Sequence, residues 1–311
     1  MKRQLVATAL AAPFVFALAA PASAQNMVLI GTHVDLSGPV AAGMSWLVNG
    51  LKMRIDEANT KGGVHGRKLK LIVEDNGYQP AKAVRAVQKL VKRDKVFAIV
   101  SPFGTGPTIA AHGVAIKAGI PHLFPWSGVA APFHAHKSPL SFTNVVAYDW
   151  GTAAGVNWAV KNLGAKKVGV LYQDDAFGKL ILKGTAEALA VNNMKIVAKA
   201  GFKPGSVDLS SQLASLRKAG VDLVVLGTIV RETVAAYAGA RKIGWNVKMI
   251  TSIPGRNQIV TAIARKTKIN IDGLYGIGQW RIHGANTDMA GVKAWMGKYV
   301  AKYKQPPLVT A

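Results

Sequence analysis

Two hydrophobic rhythms alternate along this chain. Short apolar runs that read as strands fall at 28–31, 68–74, 96–100 and 120–124. Between them lie stretches with apolar residues at helical spacing, which predict helices over 50–58 and 80–93. The second of these places Ala83, Val84, Val87, Leu90 and Val91 on one face. Asn59-Thr60-Lys61-Gly62-Gly63 ends the first, because glycine accepts the left-handed cap conformation. The rhythm restarts after Asp149, with helices predicted over 150–163, 177–191, 209–219 and 232–243. Strands are predicted over 168–172, 195–202, 223–226 and 249–251, then 274–277, before a last helix over 288–303. Two runs of βα units, parting near 143–149, predict an α/β protein of two doubly wound parallel-sheet lobes joined by a hinge. The repetition is topological; the halves share no close sequence repeat.

The N-terminus reads differently. Lys2-Arg3, an apolar run from Leu5 to Ala20 and then Pro21-Ala22-Ser23-Ala24 have the layout of a secretory signal peptide over 1–24. No later stretch reaches the length needed to cross a bilayer. The mature chain is therefore expected to start near Gln25, soluble and periplasmic. It has no cysteine, which excludes disulfides and thiolate chemistry.

Charge is one-sided, with 39 Lys+Arg against 15 Asp+Glu. The basic residues are scattered singly or in pairs, without a long basic run or a nucleic-acid motif. The expectation is no nucleic-acid partner. A solvated surface, or attraction of an anionic ligand or an acidic partner, accounts for the excess.

Enzyme constellations are missing: there is no G-x-S-x-G elbow, P-loop or H-E-x-x-H. Gly104-Thr105-Gly106 lacks the third glycine of a dinucleotide fingerprint, so no cofactor is expected. His134 and His136 have no third ligand near in sequence and read as loop histidines rather than a metal site. Asp174-Asp175, at a strand end before a helix, reads as a helix cap rather than a catalytic pair. What remains is recognition at the carboxyl ends of the strands. There Thr105 and Thr108 offer hydroxyls, and the helix start at Gly106 offers N–H groups, a combination that favours a carboxylate.

In order along the chain stand Asp35-Leu36-Ser37-Gly38-Pro39, then Asn59 to Leu69, Glu74-Asp75, Ser101-Pro102-Phe103-Gly104-Thr105 and Gly119-Ile120-Pro121. The second half adds Gln173-Asp174-Asp175-Ala176-Phe177-Gly178, Gly220-Val221-Asp222 and Ala240-Arg241-Lys242-Ile243-Gly244. Taken together this set resembles the periplasmic Leu/Ile/Val-binding protein family of ABC transporters, with the type I periplasmic binding fold. The resemblance implies a first lobe from 25–145 and 280–311 and a second from 146–279. It also implies a monomeric solute receptor, not an enzyme, that closes over a small-molecule ligand and docks on ABC permease subunits.

Carried over position by position, the family's carboxylate-binding hydroxyl falls at Thr105 and its adjoining loop at Trp126-Ser127-Gly128. The family's first-loop aromatic falls near Gly43, which has no side chain to supply it. A second-lobe tyrosine falls at Phe177 and loses its hydroxyl; another aromatic falls near Ile229. The acid that meets a ligand ammonium falls at Ile253, with Arg231 and Arg256 nearby. A buried ammonium without an acidic partner costs several kcal/mol. The resemblance, with these departures, implies an anion with an apolar or aromatic body; a branched-chain amino acid and a periplasmic sensor role are the alternatives. The family chain also continues beyond Ala311 with a helix and strands, which implies a C-terminally truncated chain here.

Overall fold

The computed structural model describes residues 27–133, 138–256, 258–279 and 289–305. The expected signal peptide and the His134/His136 pair lie outside the described residues.

Among the described residues, ten strands form two sheets. The first contains β1 (Met27–Val34), β2 (Lys68–Asp75), β3 (Ala98–Val100), β4 (His122–Leu123) and β5 (Ser141–Phe142), in the order β2-β1-β3-β4-β5. The second contains β6 (Val168–Gln173), β7 (Ala198–Phe202), β8 (Leu223–Gly227), β9 (Lys248–Thr251) and β10 (Leu274–Gly276), in the order β10-β9-β8-β6-β7. All pairs are parallel; Val225, for example, lies opposite Val170 and Ile250.

Helices α1 (Ala41–Thr60), α2 (Pro80–Lys92) and α3 (Thr105–Lys117) belong to the first lobe. The second carries α4 (Tyr148–Leu163), α5 (Ala176–Val191), α6 (Ser210–Lys218), α7 (Val230–Lys242) and α8 (Gln258–Thr267). The last helix, α9 (Ala290–Tyr303), packs back on α1, where the Tyr303 hydroxyl donates to the Asn49 carbonyl at 3.1 Å. Helices cover both faces of the second sheet. Val168, Val170 and Ile250 pack with Phe177, Ile181 and Leu189 in one layer. Leu171, Val224 and Met249 pack with Leu213, Leu216 and Tyr237 in the other. Strands buried on both faces explain the apolar runs in the sequence.

Several expectations need adjustment. Strand β1 runs past Gly31 through Thr32 and His33, both fully buried. Thr32 Oγ1 donates to the Ser101 carbonyl at 3.2 Å, whereas His33 Nε2 is buried without a hydrogen-bond partner among the described residues, so burial of the imidazole carries a desolvation cost. Helix α1 begins at Ala41, so Gly43 lies in its first turn and not in a loop. Helix α8 was not foreseen, although Val260, Ile263 and Ala264 have helical spacing. The two-residue β5 is too short for any periodicity.

Between the lobes, Gln279 ties the crossing segments together. Its Oε1 accepts the N–H of Val146, and its Nε2 donates to the Asn144 carbonyl at 2.9 Å. The lobes also meet directly: Gln173 Nε2 of the second donates to the Tyr78 hydroxyl of the first at 3.2 Å.

Among its described residues the first lobe also buries three histidines. His33 Nδ1 accepts from Asn76 Nδ2 at 3.0 Å, and His112 and His122 share a hydrogen bond between their Nδ1 atoms at 3.0 Å. Burial pushes His33 from 6.5 down to about 3. Burial also holds His122 well below its usual range, helped by repulsion from His33 and His112. An unfolded imidazole takes a proton near 6.5 whereas the folded one refuses it, so the unfolded state gains protons first as pH falls. Stability should be flat above pH 6.5 and fall between 6.5 and about 3. His33 alone should cost about 2 kcal/mol at a pH of about 5. Urea denaturation at neutral pH and at that mildly acidic pH measures this. An unchanged unfolding free energy would refute it.

Candidate functional site

The carboxyl ends of both sheets face a cavity of about 310 Å³ between the lobes. From the first lobe, the start of α3 forms its floor. Gly104 precedes it at φ 96°, a conformation open to glycine, and a Cβ there would lie 3.1 Å from the Tyr78 ring. Thr105 is buried, its hydroxyl 2.9 Å from the Ser127 hydroxyl. The first-turn N–H groups of a helix have no intrahelical partner, and Pro107 removes one of them. Thr105 and Gly106 therefore offer both hydroxyl and amide donors at the positive end of a helix.

The loop carrying Trp126 is held by backbone pairing: Trp126 N donates to the Pro102 carbonyl at 2.8 Å. Gly128 lies behind it and accepts the Tyr148 N–H at 2.8 Å. A Cβ on Gly128 would stand 2.4 Å from the Tyr148 ring, so glycine is what lets Tyr148 reach the cavity wall. Tyr148 meets Phe177 edge to face at 5.2 Å, closing one side with aromatic surface. Burial pushes the Tyr148 hydroxyl up to about 12, so it stays neutral.

Phe177 enters through the cap of α5. Asp175 Oδ1 accepts the N–H groups of Phe177 and Gly178 at 2.9 and 3.1 Å, which is the capping role expected of it. Its other oxygen accepts from Gln173 Nε2 at 2.5 Å. On the far wall, Ile229 and Arg231 flank the start of α7, and Ile253 and Pro254 come from the turn after β9. Hydroxyls fix that turn: Thr228 and Thr233 lie 2.6 Å apart beneath it. The Arg256 guanidinium runs along Gly276 and Gly278, where a Cβ would come within 2.8 and 2.1 Å of its side chain.

Of the nine expected site residues, Thr105, Trp126, Phe177, Ile229, Arg231 and Ile253 line the cavity. Ser127, Gly106 and Gly128 stand just behind it, in the roles given above. Sequence reasoning missed Trp46, Tyr78 and Tyr148, which also line it. Trp46 was within reach: it lies one helical turn after Gly43, and its ring sits 3.9 Å from where a Gly43 Cβ would be. Aromatic surface absent at Gly43 is thus supplied from the next turn. Tyr78 had no such signal. It adopts φ +58°, held by Asn76 Oδ1, which accepts its N–H at 2.8 Å.

Among the described residues, the lining includes neither Asp nor Glu, and the cations Arg231 and Arg256 are its only charged members. No group of His, Cys, Asp or Glu among the described residues is arranged to hold a metal ion.

Gly128→Ala should displace Tyr148 and cost about 1–3 kcal/mol. Gly113→Ala, in α3 with open space around it, should instead be neutral or stabilise by up to about 1 kcal/mol. Thermal melts of the pair check this; equal melting temperatures would contradict the packing.

A family model described as periplasmic binding protein matches residues 28–311. Over 316 aligned residues the chain is 25% identical to the Leu/Ile/Val-binding protein homolog 7 of Brucella suis, covering 99% of this chain and 77% of that one. A solved branched-chain amino acid transporter substrate-binding protein, LivJ of Streptococcus pneumoniae in complex with isoleucine, superimposes with a TM-score of 0.75. It is 26% identical and covers 91% of this chain and 79% of its own. The fatty acid ABC transporter substrate-binding protein of Thermomonospora curvata gives a TM-score of 0.80 at 24% identity, over 90% and 70% of the two chains. These are solute-binding proteins, not enzymes.

Proposed function

The chain belongs to the periplasmic binding protein family, and on that footing we propose that it captures a small carboxylate with an apolar or aromatic body for an ABC importer. The observation that carries this reading is the cavity lining: aromatic and aliphatic, with two arginines and no carboxylate among the described residues. The ligand carboxylate sits at Thr105 and the start of α3, while its body lies against Trp46, Trp126, Tyr148 and Phe177. Ile253 then needs no polar partner. The fold does not choose the ligand, since its neighbours include one described with isoleucine and one described for fatty acids. Closure over the ligand gives the receptor a distinct form for permease subunits to read. The protein acts as a monomer, exported by residues 1–24.

The names of the relatives favour a second reading, a branched-chain amino acid. It requires an acid for the ammonium, and Glu232, fully buried at the start of α7 beside the cavity wall, is the group placed to serve. Burial raises its pKa, which favours the uncharged acid and weighs against that role.

A thermal-shift screen separates the two. Benzoate, its ring-substituted forms and medium-chain fatty acids should raise the melting temperature, with about 2.7 kcal/mol of stabilisation at a hundredfold excess over Kd. Leucine and isoleucine should not. Thr105→Ala should weaken the acid about tenfold to a hundredfold, as expected for a hydrogen bond to a charged group. Binding of leucine that is lost in Glu232→Gln would install the second reading. N-terminal sequencing of the exported protein should begin at Gln25; an intact Met1 would reject export by cleavage.

A further inference from the structure

The end of the second lobe away from the cavity has its own chemistry. Because β6 to β10 are all parallel, every helix of the lobe finishes at the edge where the strands begin. Four of those helices end in exposed cations: Lys161 in α4, Arg217 and Lys218 in α6, Lys242 in α7, and Arg265 and Lys266 in α8. Lys166 and Lys167, also exposed, lead into β6 at the same edge. Among the described residues, the carboxylates there are Asp222 and Asp272. Asp222 is occupied, accepting the backbone N–H groups of Lys166 and Lys167 at 2.9 and 3.0 Å.

Cations at helix C-termini are ordinarily explained by the helix dipole. Four helix ends present about two units of negative charge in all, which eight exposed cations exceed severalfold. The opposite edge is mixed: Asp149, Asp174, Asp175, Asp208 and Glu232 gather near the helix starts that face the cavity, against Lys179, Lys203, Arg231 and Arg256. The lobe is therefore polarised, with its positive end turned away from the cavity.

Aliphatic side chains stand exposed among these cations. Val191 closes α5 at 79% exposure, and Val197 and Ile243 are 45% and 42% exposed beside the starts of β7 and β9. Lysine point charges interleaved with short aliphatic side chains suit a layer of anionic headgroups over acyl chains. A nucleic-acid surface would call instead for arginine forks and stacking aromatics.

We propose that this edge of the second lobe binds the surface of an anionic phospholipid membrane, leaving the cavity directed toward bulk solvent. The membrane then holds the receptor by a face the ligand does not use. It does so through charges that the fold, by aligning the strands, collects at one edge.

The test is co-sedimentation of the exported chain with phosphatidylglycerol-containing vesicles and with vesicles of phosphatidylcholine alone. Binding should be confined to the first and fall as ionic strength rises. The triple variant Lys218→Glu, Lys242→Glu, Lys266→Glu should lose about a hundredfold or more in partitioning. A control of equal charge change on the flank of the first lobe, Lys52→Glu, Lys293→Glu, Lys298→Glu, should lose less than about tenfold. If the glutamate triple does not fold, the corresponding glutamine triple takes its place and should lose about tenfold or more. Equal losses in test and control variants would overturn the proposal, as would binding to phosphatidylcholine alone or no binding at all. Tighter binding of a short duplex DNA, with the same dependence on the first triple, would replace the membrane by nucleic acid. Each readout is taken without cavity ligand, so its failure leaves the ligand reading standing.

Discussion

Every strand runs parallel to its neighbours, so each sheet has one edge where the chain enters and one where it leaves. Most features of this molecule follow from that constraint. The leaving edges carry the loops that build the cavity, together with the helix starts and their unpaired amides. The entering edges carry the helix ends and a surplus of exposed cations in both lobes. Ligand chemistry and surface chemistry are thereby separated without any dedicated domain.

At the cavity, the protein combines mostly apolar walls with a few fixed donors. Thr105 is oriented by Ser127, Asp175 is spent on the cap that presents Phe177, and Arg256 is guided by two glycines. These polar groups at the rim thus have local structural partners, whereas Trp46 Nε1 in the lining has no hydrogen-bond partner among the described residues. An apolar cavity with fixed donors discriminates through what it leaves unpaired, because a charge without a partner is costly there. Glycines act on the same walls by omission: Gly128 admits Tyr148, and Gly104 admits Tyr78.

Tyr78 and Gln173 meet across the lobes, while Gln279 joins the two crossing segments. The first joins the two lobes beside the cavity, whereas the second ties together the segments that cross between them.

The alternation of apolar runs and helical spacing already determined two doubly wound lobes, because burial on both faces of a parallel sheet leaves that signature in local sequence. The Asp175 cap and the Thr105 floor were legible for the same reason: each depends on position relative to a strand end or helix start. Trp46 was nearly legible, one turn from the glycine it compensates. Tyr78 and Tyr148 were not, since their place in the cavity depends on Gly104 and Gly128, which arrive from other segments. The buried histidines were equally hidden, as β1, β4 and α3 meet only in the folded lobe. The basic edge is the extreme case. Scattered lysines look featureless along the chain, and only the parallel alignment of strands collects them on one surface.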